Sequence, residues 1–92
     1  MATEVFIAKM TDFMEEGEIV AWLVGEGDHV DEGQPILEVQ TDKAIAELEA
    51  PATGYLVAIR PGVVVGSIIP VGETIAWIVD SLDEAVEPLP PL

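Results

Sequence analysis

Apolar and polar residues alternate along two neighbouring runs of this chain, Pro35 to Thr41 and Ala44 to Ala50. Alternation with a period of two marks half-buried strands. Two such runs separated by a short polar pair predict a β-hairpin with Asp42 and Lys43 as its loop residues. That pairing sets Thr41 opposite Ala44, Val39 opposite Ala46 and Leu37 opposite Leu48 on one face of the ribbon. Glu38 then faces Glu47 on the other side, and Gln40 faces Ile45. A slip of one residue would mix the two faces, so the pattern specifies its own register. The loop is the weak point, because tight two-residue turns favour positive φ, which Gly and Asn accept best and Asp tolerates. Asp42-Lys43 at the tip therefore points to a role other than turn stability.

The same reading places a first strand over Glu4 to Lys9, with Val5 and Ile7 on one face and Phe6 and Ala8 on the other. Polar residues from Thr11 to Glu16 interrupt it, and Met10, Phe13 and Met14 are expected to fold back as an apolar plug. A strand opens at Gly17 and runs through Val24, with Val20, Trp22 and Val24 alternating against Ile19, Ala21 and Leu23. Gly25-Glu-Gly-Asp28 signals a turn and His29 to Gly33 a loop. Pro51 has no N–H for a ladder and marks the end of the second hairpin strand.

The second half then echoes the first. Gly54-Tyr-Leu-Val-Ala-Ile59 repeats Gly17-Glu-Ile-Val-Ala-Trp22 at an interval of 37 residues, and Gly66 to Ile75 repeats Gly27 to Ile36 at an interval of 39. A two-residue insertion accordingly falls near Pro61-Gly62. Neither unit alone could bury its apolar face, so the repeat predicts two similar β units packed with approximate two-fold symmetry. The predicted architecture is all-β, a sandwich or flattened barrel of about eight short strands with helix essentially absent. From Ser81 to Leu92, three prolines and three acids predict an extended, solvated segment that packs weakly. This divides the chain into a domain over residues 1–80 and the start of a linker to a longer protein over 81–92.

Composition narrows the chemistry. Eighteen acidic residues against three basic ones give a net charge of −15, which disfavours nucleic acid and anionic membrane partners. No apolar run approaches the roughly 20 residues that span a bilayer, and no basic segment followed by an apolar core opens the chain. With no cysteine, the polypeptide supplies neither disulfides nor thiols, and an intracellular site is expected. His29 has no second histidine or cysteine beside it, so no zinc site is expected. Neither Ser67 nor Ser81 has a neighbouring histidine base, and the Gly25 to Asp28 turn lacks the spacing of a phosphate loop. Glu38, Glu47 and Glu49 read as a solvated strand face rather than an acid and base pair. No residue is assigned as catalytic and none as a metal ligand.

Lys43 admits two readings. A lysine amine with an ordinary pKa of about 10.4 is protonated near neutrality, and a hairpin tip among acidic residues offers neither burial nor a cationic neighbour to activate it. It is a surface charge, or it is an amine held at the outermost point of a rigid scaffold where another enzyme can acylate it.

Glu38-Val-Gln-Thr-Asp-Lys43-Ala44 resembles the lipoylation motif of the lipoyl domains of 2-oxo acid dehydrogenase complexes. Lys9-Met10, Met14-Glu-Glu-Gly17, Trp22, Glu26-Gly-Asp28, Val30, Gly33, Ala50-Pro51, Gly54 and Val71-Gly72 extend the likeness over about residues 3 to 79. Departures lie at Thr11-Asp-Phe13 and at Arg60-Pro-Gly62. The resemblance implies a flattened barrel of two four-stranded antiparallel sheets. It also implies lipoic acid joined to Lys43 through an amide, taking the balance from −15 to −16, with Asp42 and Ala44 presenting the lysine or simply forming the turn.

The implied partners are a lipoate ligase or a lipoyl/octanoyl transferase, a thiamine-diphosphate-dependent 2-oxo acid decarboxylase, an acyltransferase core and a dihydrolipoyl dehydrogenase. On this reading the chain alone is no enzyme but the swinging-arm carrier of a dihydrolipoyllysine-residue acyltransferase, with pyruvate dehydrogenase as the expected complex. A biotinyl carrier domain shares the fold and the hairpin lysine but typically flanks it with methionines. A glycine-cleavage carrier is usually longer, with added helical segments. An unmodified acidic β-sandwich that binds partners is the remaining alternative.

Overall fold

The computed structural model describes residues 2–9, 14–41 and 44–91. Among them the chain forms eight strands and no helix: β1 (Thr3–Phe6), β2 (Glu16–Trp22), β3 (His29–Val30), β4 (Pro35–Gln40), β5 (Ile45–Glu49), β6 (Gly54–Val57), β7 (Ile68–Pro70) and β8 (Thr74–Val79). They assemble into two four-stranded antiparallel sheets, ordered β1-β8-β6-β3 and β5-β4-β2-β7. The sheets are not closed into a continuous barrel, and the architecture is the flattened sandwich that the strand pattern predicts.

The internal repeat is visible in the strand order. Matching β2 with β6, β3 with β7 and β4 with β8 converts one sheet into the other, with β5 standing where β1 stands. The short strands are exchanged: β3 of the first unit pairs with β6 of the second, and β7 of the second pairs with β2 of the first. Each unit therefore completes the other's sheet, which is why neither could bury its apolar face alone. The loops repeat as well, Gly27 and Gly66 taking φ of 88° and 93° at equivalent turns.

Bulges obey the same symmetry. Register shifts leave Ile36 in β4 and Ile75 in β8 as extra residues, and both side chains are fully buried. A further shift at Val20 in β2 changes the strand's alternation. Before it Gly17 and Ile19 are buried, and beyond it Trp22 and Val24 pack against the core while Leu23 is exposed. The simple alternation expected for Gly17 to Val24 thus holds only on each side of the bulge, and the strand itself ends at Trp22.

Val5, Ile7, Ile19, Val30, Leu37, Val39, Leu56, Ile69 and Ile78 fill the space between the sheets. Ile7 belongs to this core although β1 ends at Phe6, not Lys9; its N–H donates to the Glu73 carbonyl and its carbonyl accepts from Gly72. Met14 is buried as expected of the plug, while Met10 and Phe13 lie outside the described residues. Gly17 and Gly54, partners in the repeat, are buried where no side chain fits. A Cβ at Gly54 would strike the Val79 carbonyl, and one at Gly17 would strike Val39.

Two expectations need correction. His29 is not in a loop: with Val30 it forms a two-residue strand opposite Tyr55 and Gly54, and its ring meets the Tyr55 ring edge to face at 5.2 Å. Residues 81–91 are not simply solvated, because they fold back onto the first sheet through Trp77 and Arg60.

Candidate functional site

The hairpin formed by β4 and β5 has the register that alternation predicts, pair for pair: Leu37 with Leu48, Glu38 with Glu47, Val39 with Ala46 and Gln40 with Ile45. Leu37, Val39 and Leu48 are buried, whereas Glu47 and Glu49 are exposed and Glu38 half-buried. Anchoring one face of the ribbon in the core leaves its end little freedom to twist or slide. The hairpin is therefore a rigid mount for whatever its loop carries.

Thr41 and Ala44 close the ribbon. The Thr41 N–H donates to the Ala44 carbonyl at 2.8 Å. The Thr41 hydroxyl donates to that same carbonyl at 2.7 Å and accepts from the Ala44 N–H at 3.2 Å. Gln40 Nε2 adds a bond to the Thr41 carbonyl at 3.0 Å. Thr41 is only 8% exposed. Its hydroxyl supplies a partner for the Ala44 N–H and a second donor to the Ala44 carbonyl where the ladder ends. Residues 42 and 43 are the only ones left between the clamped pair. These are Asp42 and Lys43, which lie outside the described residues, and Ala44 is exposed.

Thr41 is the site residue that sequence reasoning passed over. It was assigned only a place on the apolar face, yet a Thr in a buried register position immediately before a loop is itself a signal for side-chain capping of the turn.

Beside the loop end of the hairpin lies a cleft of ≈ 350 Å³ bounded by Glu15, Glu16, Glu18, Gln40 and Thr41, with Met14 and Ile68 supplying apolar walls. The chain's acidic character thus reaches the base of the loop. Elsewhere the sequence candidates stay apart. Among the described residues no group of three or more His, Cys, Asp or Glu side chains could hold a metal. His29 sits in the first sheet with Asp31 4.0 Å away, whereas the hairpin belongs to the second sheet. Glu38, Glu47 and Glu49 lie along the strands, with no catalytic histidine or cysteine among them.

Among the described residues, the β4–β5 ribbon is clamped by Thr41 and Ala44 on either side of the two positions that hold Asp42 and Lys43 in the sequence. The chain belongs to the biotin and lipoyl family, whose model, described as biotin-requiring enzyme, matches residues 3–78. Among its relatives is the dihydrolipoyllysine-residue acetyltransferase component 5 of the chloroplastic pyruvate dehydrogenase complex of Arabidopsis thaliana. It is 37% identical over 91% of this chain and 18% of the relative. The acetyltransferase component of the pyruvate dehydrogenase complex of Bacillus subtilis is 39% identical over 82% of the chain and 16% of the relative. The succinyltransferase component of the 2-oxoglutarate dehydrogenase complex of the same organism is 33% identical over 95% and 20%. The chain spans a fifth or less of the length of these relatives.

Proposed function

We propose that this chain is a lipoyl carrier domain of a dihydrolipoyllysine-residue acyltransferase and that Lys43 bears the lipoyl group. The observation that carries the proposal is the closure of the β4–β5 ribbon by Thr41 and Ala44, which leaves only Asp42 and Lys43 to form its loop. Attachment forms an amide between Lys43 Nζ and the carboxyl carbon of lipoic acid, the modifying ligase or transferase supplying the activated acyl group. When bound, the group supplies a disulfide ring able to accept an acyl group and two electrons, chemistry that a cysteine-free chain lacks.

The polypeptide's part is mechanical and electrostatic. Leu37, Val39 and Leu48 hold the ribbon in the core, Thr41 clamps its end, and Asp42 and Ala44 present the lysine to the modifying enzyme and the decarboxylase. The exposed Glu47 and Glu49 keep the outer face of β5 in water. Tethering to an acyltransferase core, through a linker starting at residue 81, raises the effective concentration of the arm at successive active sites. Those sites belong to a thiamine-diphosphate-dependent decarboxylase, the acyltransferase and a dihydrolipoyl dehydrogenase, working in the bacterial cytoplasm or inside an organelle.

Pyruvate dehydrogenase is the complex we favour, because its acetyltransferase components recur most often among the relatives, beside components of 2-oxoglutarate dehydrogenase and acetoin-cleaving systems. The test presents the folded chain to a lipoate ligase and, separately, to a biotin ligase, and reads the intact mass. A single lipoyl addition with no biotin addition is the expected result. Biotin addition alone would make the chain a biotinyl carrier, and addition of neither would leave an acidic binding module. The lipoylated chain is then offered to pyruvate and 2-oxoglutarate decarboxylases, and faster acylation with 2-oxoglutarate would overturn the choice of complex.

A further inference from the structure

β8 ends at Val79 and the chain reverses over the next five residues. The Glu84 N–H donates to the Ser81 carbonyl at 3.0 Å, the Asp83 N–H to the Ser81 hydroxyl at 3.3 Å, and the Asp80 N–H to Glu84 Oε1 at 3.3 Å. The returning segment meets two side-chain donors. Trp77 Nε1 donates to the Glu87 carbonyl at 3.0 Å and Arg60 Nε to the Pro90 carbonyl at 2.7 Å.

The accepting carbonyls are three residues apart. A polyproline II helix has three residues per turn and no internal hydrogen bonds, so carbonyls at i and i+3 point to the same side and remain open to outside donors. Pro88, Pro90 and Pro91 bias the segment to that conformation before it docks, because each proline restricts itself and the residue before it. Val86 and Leu89, also three apart, are half-buried, while Glu87, Pro88 and Pro90 are exposed.

The receiving surface is built in advance. The Arg60 side chain is 12% exposed, and its Nη1 is fixed by Glu73 Oε2 at 2.9 Å and the Thr74 carbonyl at 3.1 Å, which aims Nε at the tail. Arg60 belongs to the Arg60-Pro-Gly62 stretch, beside the two-residue insertion that has no counterpart in the first repeat. An independent observation comes from Val79. The register of β6 with β8 puts Leu56 and Ile78 on the core face and Tyr55, Val57, Trp77 and Val79 on the opposite face. Val79 is nevertheless 0% exposed and stands outside the core cluster. A buried valine on an outer face needs cover, and the returning tail is bonded to Trp77 two residues away on that same face.

We propose that the outer face of the β1-β8-β6-β3 sheet is a docking groove for a polyproline II segment, with Trp77 and Arg60 as its paired donors, and that the chain's own residues 86–91 occupy it. The recognition is that of an aromatic and donor-lined surface reading a preformed extended helix. It goes beyond the carrier function and does not depend on it. If the segment serves as a tether, its flexible part begins no earlier than residue 91. Undocked, residues 86–91 would extend a tether by about 19 Å at about 3.1 Å per residue of polyproline II, a reach that docking removes.

Backbone relaxation and nuclear Overhauser measurements on the 92-residue chain test this. The amides of Val86, Glu87 and Leu89 are expected to be as ordered as those of β8, with contacts from the Trp77 indole proton and the Val79 methyls to residues 86–90. Combining Pro88→Gly, Pro90→Gly and Pro91→Gly leaves the sandwich untouched. It should release the tail and speed exchange of the Trp77 indole proton about tenfold or more. Trp77→Phe, which keeps an aromatic side chain but removes the indole donor, should also release the tail. The Trp22 indole, bonded to the Val63 carbonyl at 3.1 Å, reports an intact fold throughout. Random-coil relaxation at Val86, Glu87 and Leu89 in the unaltered chain would overturn the proposal, as would unchanged order in the triple-glycine variant.

Discussion

At the scale of single residues, Thr41 is the most informative side chain in the molecule, because one hydroxyl serves both a carbonyl and an N–H of Ala44. Thr41→Val keeps the shape and removes both bonds, and should cost about 1–3 kcal/mol by leaving those groups short of partners at the ribbon's end. Thr41→Ser should retain most of that stability. Urea denaturation reads the cost, and a ligase time course should show slower lipoylation of the valine variant than of the serine one; equal rates would remove Thr41 from the presentation of Lys43. The two repeat glycines give a second contrast. At Gly54 a Cβ would meet the Val79 backbone, which cannot step aside. At Gly17 it would meet the stiff, buried Val39 side chain and the end of the flexible Met14 side chain, so side chains and not backbone must shift. Gly54→Ala should therefore destabilise more than Gly17→Ala, by about 1–3 kcal/mol or more for overpacking, and the reverse order in urea would contradict the close approach drawn here.

At the scale of elements, the β4–β5 hairpin works as a mount because its inner face is core. Leu37→Ala should cost about 2–5 kcal/mol in thermal or urea unfolding. Ile45→Thr, at a residue 55% exposed, should stay within about 0.5 kcal/mol, and a large loss there would mean that the ribbon's outer face is covered. The contrast also shows why this element was legible from sequence: a period of two over paired apolar residues has one register that keeps them on one side. The bulges at Val20 and Ile36 were not legible, because an extra residue in a strand leaves no compositional mark when it is itself apolar. β3 escaped because two residues in a Gly-rich stretch carry too little pattern, and their pairing with Gly54 and Tyr55 comes from the other repeat. The tail's docking was hidden for a similar reason, since its donors lie 10 and 30 residues away in sequence. The candidate site divides in the same way. Alternation located the loop, whereas the chemistry assigned to Lys43 came from the resemblance, since nothing in the spacing distinguishes an acylated lysine from a surface charge.

At the scale of the whole molecule, two features set how the domain would meet its partners. The strand exchange between repeats makes the sandwich one cooperative unit, so unfolding should be a single transition by fluorescence and circular dichroism alike. The charge of −15, carried to the loop end of the hairpin by Glu15, Glu16 and Glu18, should accelerate encounter with cationic surfaces on a decarboxylase. Raising salt from low to physiological strength should slow that association by about tenfold, and a rate indifferent to salt would remove electrostatic steering from the account. The central proposal is that Lys43 carries the lipoyl group. The most direct test is site-resolved mass spectrometry of the protein purified from its native cell. The account predicts a lipoyl amide on the peptide containing Lys43 and an unmodified Lys9; an unmodified Lys43 in that sample, or biotin in place of lipoic acid, would contradict it.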